Sequence, residues 1–224
     1  MTHRERILTS LEHREPDRVA IDFGAYRSSG ISAIAYPKLR AALGLEPRPI
    51  YVYDPIQQLA IIDEDVLEWA GADAIELGRG FCQDDRWWGD WVLPDGTPCK
   101  MPVWAVPARE NGEWVYRAPA GHVMARMPQD SVVFDQTWWP FRDGAEDLSR
   151  IEELYAQHMW TGIASPPGPA APTPDELRAG ARRLREQTDR AIVGLFGGNL
   201  LEMGQFYYRM DGFLMLLAED PARG

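Results

Sequence analysis

The chain of 224 residues carries 34 acidic against 23 basic side chains, and its formal charge of −11 repels nucleic-acid phosphates and anionic membrane surfaces. Its longest apolar runs, such as residues 213–218, are far shorter than the roughly 20 residues that a membrane-spanning helix needs. The charged N-terminus lacks the apolar core of a secretory signal. The sequence therefore predicts a cytoplasmic globular protein that binds neither nucleic acid nor membrane.

The cysteines and histidines give no pattern of metal ligands. Cys82 and Cys99 belong to no CxxC or CxH motif, and the four histidines are scattered along the chain. Free thiols are expected in a chain without a secretion signal. Because a zinc site needs three or four ligands in a closely spaced set, the sequence predicts no metal site formed by this chain alone.

The first 80 residues alternate between strand and helix patterns. Thr2 and Glu5 have the spacing of a capping box, which predicts an N-terminal helix. Residues 19–24 predict a buried strand, and residues 32–43 predict a helix that ends at a glycine. Three further segments continue the alternation: a strand at residues 50–54, a helix at 63–71 and a strand at 72–78.

Residues 86–140 have a different character, rich in tryptophan and in hairpin turns. The pairs Asp95-Gly96, Asn111-Gly112 and Ala120-Gly121 punctuate stretches that alternate between apolar and polar residues, and this predicts an inserted β-meander of about four strands. Its tryptophans are Trp87, Trp88, Trp91, Trp104 and Trp114. They could form a wall for ligand stacking, but a small hydrophobic core that packs onto the main body is the favoured interpretation.

The last third of the chain returns to the alternation of helix and strand. Residues 165–176 form a proline-rich linker, and Thr173 or Asp175 can cap the helix that follows. The remaining pattern predicts a strand at residues 190–196, the pair Gly197-Gly198, and helices at 200–208 and 211–218.

Strand followed by helix, repeated, predicts a parallel sheet with helical crossovers. At most four such strands are present, at residues 19–23, 50–53, 73–77 and 191–196. A closed (β/α)8 barrel needs eight strands over about 250 residues. The pattern alone therefore leaves two options, a small open α/β sheet or the first part of a larger barrel.

Four blocks of the sequence resemble the uroporphyrinogen decarboxylase superfamily. They read RERILTSLEHREPDRVAIDFG, YPKLRAALGL, YDPIQQLAIIDEDVLEWAGADAIEL and IVGLFGGNLLEMGQFYYRMDGFLMLLAEDP. The chain looks closest to the branch of decarboxylase-like proteins and cobamide-dependent methyltransferases. This resemblance implies the first half of a (β/α)8 barrel, a partial TIM-type barrel.

The implied organisation has four parts. Residues 1–85 are the first βα units, 86–140 the inserted meander, 141–189 connecting helices and the linker, and 190–224 a further βα unit. The chain is then expected to be an N-terminal portion that stops in the middle of the barrel.

The chain departs from both signatures of the true decarboxylases. These enzymes place an Arg-x-x-Gly-Arg-Tyr cluster after the first strand, where this chain has only Arg27. Where the second signature has Pro, an aromatic residue and Thr, this chain has Asn199, Leu200 and Leu201. One arginine cannot hold the eight carboxylates of a porphyrinogen. Porphyrinogen decarboxylation is therefore less favoured than methyl transfer.

In the methyltransferase branch a zinc ion activates the accepting thiol, and a corrinoid partner carries the methyl group. The resemblance implies zinc ligands in the second half of the barrel and none in this chain. A decarboxylase of the porphyrin type remains the first alternative. A non-enzymatic module that binds a small ligand or a protein is the second.

The resemblance also implies a substrate pocket at the carboxyl ends of the strands, where glycines allow close approach of the backbone. The spacing GLFGG at residues 194–198 is not the GxGxxG of a dinucleotide site. No catalytic residue is assigned. The candidate substrate contacts are Asp22, Arg27, Asp54, Gln57, Glu76, Gly197, Gly198, Asn199, Gln205 and Tyr207.

Several of these candidates have a second, structural interpretation. Asp22 fits a salt bridge or a cap as well as it fits a substrate contact. Arg27 fits an ordinary surface arginine as well as it fits an anion contact. Asp54 is more readily explained as the cap of the next helix. Glu76, inside a strand, needs a partner if it is buried. The aligned tyrosine position of the family is Gln205, and Tyr207 could replace it only if the helix were rotated.

An incomplete barrel has a further consequence for association. It would expose the strand edge at residues 191–196 and the apolar faces of residues 213–218. Both features favour self-association. We therefore expect the 224-residue chain to oligomerise or aggregate.

Overall fold

The computed structural model describes residues 1–80, 85–142, 147–163, 173–194 and 199–222. The fold is mixed α/β, with helices and several small sheets. Helices are α1 (His3–Leu11), α2 (Tyr36–Ala42), α3 (Glu64–Ala70), α4 (Ile151–Leu154), α5 (Met159–Gly162), α6 (Pro174–Gln187), α7 (Leu200–Tyr208) and α8 (Met210–Glu219). Strands are β1 (Val52–Asp54), β2 (Leu59–Ala60), β3 (Ala74–Glu76), β4 (Trp88–Val92), β5 (Pro98–Pro102), β6 (Ala108–Glu110), β7 (Glu113–Arg117), β8 (Val123–Met127), β9 (Asp135–Gln136) and β10 (Ala191–Val193).

The chain divides into two compact units. The first comprises Met1–Asp54, Gln58–Val103 and Pro169–Phe196. The second comprises Pro55–Gln57, Trp104–Gly168 and Gly197–Gly224. Residues 165–172 of the predicted proline-rich linker lie outside the described residues, as does the pair Gly197-Gly198. No helix within the described ranges is both long and apolar enough to cross a bilayer.

Local capping chemistry starts two of the predicted helices. The Thr2 side chain accepts a hydrogen bond from the backbone N–H of Glu5, whose carboxylate accepts one from Thr2, and α1 follows. The same reciprocal pair of Thr173 and Glu176 starts α6. Each capping box satisfies backbone N–H groups that the first helical turn leaves without partners. The predicted positions of both helices are confirmed.

The one parallel pair among the described strands is β3 with β10. Ala74, Ile75 and Glu76 lie in register with Ala191, Ile192 and Val193. The strands predicted at residues 73–77 and 191–196 are therefore parallel neighbours over the described part. The two strands are far apart in the chain but adjacent in the sheet. A parallel pair of this kind needs a long crossover connection, usually through a helix.

The segment at residues 19–23 is not a strand, contrary to the prediction. Asp73 N–H donates to the carbonyl of Ile21 at 2.7 Å, so this segment does lie beside β3. However, the Asp73 carboxylate accepts the Ile21 N–H at 2.8 Å. Because a side chain occupies the backbone donor that a regular ladder would use, strand pairing does not continue here.

The strand predicted at residues 50–54 is present as β1, but it is not a parallel neighbour of β3. It pairs antiparallel with β2, with Val52 opposite Ala60 and Asp54 opposite Leu59. The chain therefore reverses directly after β1 instead of crossing over through a helix. The described residues contain no closed barrel.

The tryptophan-rich region forms two antiparallel sheets. Strands β4 and β5 make a hairpin in the first unit, and β6 to β9 make a four-stranded meander in the second. The predicted turns lie between the strands, and Asn111 and Gly112 have φ values of 50° and 87°. Positive φ at both positions is the geometry of a type I′ turn, which explains the Asn-Gly pair.

The tryptophans pack within their own units. Trp91 is buried, and the Trp88 ring meets Tyr51 edge-on at 5.0 Å, both in the first unit. In the second unit Trp114 stacks beneath the Arg109 guanidinium at 5.1 Å. Aromatic packing of this kind stabilises small sheets that lack a large core.

Candidate functional site

The loop of residues 22–33 and the strands β1 and β2 form a compact site in the first unit. Ala60 N–H donates to the Ile31 carbonyl at 2.9 Å, and Ala33 N–H donates to the Gln58 carbonyl at 2.7 Å. Ser32 forms an isolated antiparallel bridge with Leu59. These backbone bonds fix the loop against the hairpin, so side chains from both can act together.

Arg27 and Asp54 meet in this site. The Arg27 Nε atom lies 3.2 Å from Asp54 Oδ2. Asp54 is 1% exposed, whereas the Arg27 side chain is 27% exposed. A buried carboxylate needs such a partner, and in return it orients a guanidinium that remains accessible. Two candidates that are 27 positions apart in sequence therefore form one ion pair.

Asp54 does not cap a helix, which corrects the favoured interpretation of this residue. The next helix, α3, has Asp63 at its N-cap. Asp54 is instead the last residue of β1, where it is buried opposite Leu59. It lies well before the start of α3 in the sequence.

Asp22 shapes the loop that carries Arg27. Its Oδ1 atom accepts the Ala25 N–H at 2.9 Å, and its Oδ2 atom accepts the Ser29 hydroxyl at 2.8 Å. The sequence suggested a salt bridge or a cap for Asp22, whereas these are hydrogen bonds within a loop. Gly24 in the same loop has a φ of 81°, and a Cβ there would lie 2.6 Å from Ile62 Cδ1. The loop conformation therefore requires glycine.

Gln58, not the neighbouring candidate Gln57, is the buried glutamine of this site. Gln57 is half-buried and belongs to the second unit. Gln58 is 1% exposed, and within the described residues neither Oε1 nor Nε2 has a hydrogen-bond partner. Its φ of 55° is rare outside glycine and asparagine. No pattern in the sequence separates the two glutamines, because only the hairpin register does so.

A buried amide without partners and a strained backbone are both unfavourable. Folded proteins tolerate such costs mainly where a ligand or an ordered water completes the hydrogen bonds. Gln58 therefore joins Arg27 and Asp54 as a residue of this candidate site.

Glu76 lies elsewhere in the first unit, at the carboxyl end of β3 opposite Val193. It is half-buried, and a Cβ on Gly78 would lie 3.3 Å from its Oε1 atom. The carboxylate is thus folded over the turn that follows the strand. This position is at the strand edge where ligands bind in parallel sheets.

Three further candidates that the structure describes lie at α7, in the second unit. Asn199 is the N-cap residue, but its side chain makes no capping hydrogen bond. Gln205 is half-buried, and its carbonyl accepts the Arg209 N–H at 3.0 Å. Tyr207 is a buried core residue, and its contact with a substrate stays a prediction. Gly197 and Gly198 lie outside the described residues.

The environment of Tyr207 explains its structural role. It is 5% exposed and stacks with Phe141 at a centroid distance of 5.4 Å. Its hydroxyl donates to the Ile151 carbonyl at 3.3 Å. Burial, and then the nearby Tyr155, raise the pKa of Tyr207, so the phenol stays neutral and serves packing.

A buried ion cluster that the sequence did not reveal lies at the opposite end of β3. Asp73 has no exposed side-chain surface and pairs with His3, Arg6 and Arg18. Burial by itself raises the pKa of Asp73, but hydrogen bonds from the Ile21 backbone and these side chains together lower it. Because this is the amino end of the strand, the cluster has the location of a stabilising group in a βα fold.

The described residues do not fit a zinc site. Nowhere in the described ranges do three His, Cys, Asp or Glu side chains meet in a ligand arrangement. Burial, and then Asp95, raise the pKa of Cys99 to about 12, so this thiol resists the deprotonation that metal binding needs. In the second unit, burial lowers the pKa of His158 to about 4, so this imidazole is neutral at pH 7. Cys82 lies outside the described residues.

Comparisons of the chain with protein-family models, curated proteins and solved structures found no match.

Proposed function

We propose that the chain forms the first βα units of a barrel enzyme of the uroporphyrinogen decarboxylase superfamily. The order of three segments carries this proposal. Asp73 N–H donates to Ile21, and the Asp73 carbonyl accepts the Ala191 N–H at 2.9 Å. Segment 19–23, β3 and β10 therefore lie side by side in the order in which they occur in the chain, although β1, which lies between the first two in the sequence, pairs elsewhere. Neighbours that keep the order of the chain are typical of βα barrels.

The substrate of the proposed enzyme is a small organic anion that contacts Arg27. Asp54 occupies the Nε side of the guanidinium, and the other N–H groups are suited to a carboxylate. A single exposed arginine fits one carboxylate rather than the eight of a porphyrinogen. Of the two reactions that the resemblance offers, we therefore favour methyl transfer over decarboxylation.

The methyl-transfer reaction would use a zinc-bound thiolate and a methylated corrinoid partner. The described residues supply no set of metal ligands. The role of this part of the chain is to bind and orient the substrate through Arg27, with Asp54 and the Asp22 loop holding the guanidinium in position.

The test is an assay of the protein expressed from its complete gene. Methylcobalamin demethylation is measured with a thiol acceptor, with and without a zinc chelator. We expect chelator-sensitive demethylation, and we expect Arg27→Gln to lower kcat/KM roughly tenfold or more because a charge-assisted contact is lost. Arg14→Gln is the matched control, since Arg14 is exposed and pairs only with nearby Glu12 in the described structure.

The other outcomes separate the alternatives. Release of carbon dioxide from a porphyrinogen, without demethylation, would establish the carboxy-lyase. Ligand binding without turnover of either substrate would favour a non-enzymatic binding module. An Arg27→Gln variant as active as Arg14→Gln would remove Arg27 from the site.

A further inference from the structure

An apolar groove of about 530 Å³ lies between α6 and the carboxyl end of the β3–β10 pair. Its apolar floor comprises Leu77, just after β3, with Ile192 of β10 and Ala181 of α6, and Gly194, just after β10, also lines it. Ile192 is only half-buried, so the apolar surface is accessible. Volumes of a few hundred cubic ångströms at the carboxyl edge of parallel strands are typical of small-ligand sites.

The rim of this groove is basic, in contrast to the rest of the molecule. Arg178, Arg182 and Arg185 line it from one face of α6, and Glu186 is the one carboxylate among the lining residues. Their spacing of three or four positions places the guanidinium groups side by side along the helix. In a chain with a formal charge of −11, three arginines around one groove are a local reversal of sign.

Two of these arginines form no ion pair with the described residues, although Glu186 lines the same groove. Arg178 pairs with Asp175. In the part of the chain that the structure describes, no carboxylate pairs with Arg182 or Arg185. The positive charge of Arg185 also affects Arg4. Burial first, and then the Arg185 charge, lower the pKa of Arg4. Like charges held close together attract an anion to the same place.

We propose that this groove binds an organic anion with an apolar body, whose carboxylate lies at Arg182 and Arg185 and whose hydrocarbon part covers Leu77 and Ile192. Because the floor is apolar, an inorganic anion would leave it uncovered and would bind weakly. Because the rim is basic, a neutral hydrocarbon would make no ionic contact and would also bind weakly. The proposal stands on the groove itself and does not depend on the reaction proposed above.

The experiment measures octanoate binding to the full chain by isothermal titration calorimetry, with acetate and 1-octanol as partial ligands. We expect octanoate to bind more tightly than either, and its affinity to fall with added salt. Arg182→Gln should weaken octanoate binding roughly three- to fivefold, the effect of one exposed ionic contact. Ala181→Trp should abolish binding by filling the groove.

Arg183→Gln is the matched control, because it removes the same charge from the next residue of α6, which does not line the groove. Its affinity for octanoate should equal that of the unaltered chain. The proposal is overturned if the unaltered chain does not bind octanoate, if 1-octanol binds equally well, or if Arg183→Gln weakens binding as much as Arg182→Gln. Should Ala181→Trp fail to fold, the two arginine variants decide the question alone.

Discussion

Asp73 has no exposed side-chain surface, yet its carboxylate accepts hydrogen bonds from Arg6, Arg18 and the backbone of Ile21. Replacing Asp73 by Asn removes the buried counterion of Arg6 and Arg18, and it leaves Arg6 with only the partly exposed Asp17. We expect Asp73→Asn to lower the free energy of unfolding by about 3–5 kcal/mol. Urea denaturation at pH 7 measures this loss. Asp90→Asn is the control, because Asp90 pairs with Lys100 at an exposed position and its loss should leave the midpoint unchanged.

The same carboxylate makes the free energy of unfolding depend on pH. The folded-state pKa of Asp73 lies below its ordinary value of 3.8. Its contribution to stability is therefore complete above that ordinary value and is lost as the pH falls through the lower folded pKa. We expect stability to decline more steeply below about pH 4 in the unaltered chain than in Asp73→Asn. Parallel declines in the two proteins would contradict this assignment.

Gln58 is the opposite case, a buried polar group that lacks partners within the described structure. Gln58→Met keeps the volume and removes the unsatisfied amide, so we expect the unfolding free energy to stay equal or rise by about 1 kcal/mol. If the amide recognises the substrate, kcat/KM should fall at least about fivefold in the same variant. Gln187→Met is the control, because Gln187 is exposed at the end of α6, and it should change neither quantity. A marked loss of stability in Gln58→Met would show that the amide is satisfied by ordered water.

At the level of elements, the loop that presents Arg27 depends on one glycine. Gly24 and Gly44 both have positive φ, at 81° and 70°, but only the site of Gly24 is crowded, by buried Ile62. Both alanine substitutions cost backbone strain, and Gly24→Ala adds a steric clash. We expect Gly24→Ala to destabilise the chain by about 1–2 kcal/mol more than Gly44→Ala. Thermal unfolding of the two variants measures this difference, and equal melting temperatures would exclude the clash.

The hairpin β1–β2 decides which residues reach the site. Because β1 reverses into β2, the Arg27 loop contacts the hairpin through Ile31 and Ala33. The ion pair of Arg27 with Asp54 is thus a consequence of strand direction, and not of the residue types alone.

For the whole molecule, exposed apolar side chains favour association between copies. Leu214 and Met215 of α8 are 48% and 57% exposed, and Leu201 and Met210 of α7 and α8 are similarly exposed. Apolar surface of this kind is usually covered in soluble proteins. We expect light scattering at micromolar concentration to show oligomers or aggregates. The double variant Leu214→Gln with Met215→Gln should shift the distribution toward monomer.

Val92→Gln is the matched control for this measurement, since Val92 is 49% exposed on β4 in the first unit. It should leave the distribution as in the unaltered chain. A sharp monomer peak for the unaltered chain would contradict the expectation.

The sequence by itself determined the features that depend on neighbouring residues. Thr2 with Glu5 and Thr173 with Glu176 start their helices through contacts only three positions apart. Asn111-Gly112 sets its turn because the two residues tolerate positive φ. Such interactions involve few atoms that are close in the chain, so a pattern of residue types is enough to predict them.

Only the tertiary structure decided the pairings between distant segments. Residues 19–23 read as a strand, but the Asp73 side chain takes the hydrogen bond that a ladder would need. Residues 52–54 do form a strand, yet their direction follows from the return to Leu59. The choice of Gln58 over Gln57 and the pairing of Arg27 with Asp54 depend on that direction. Long-range packing and burial, not local preference, set these contacts, and no spacing in the sequence encodes them.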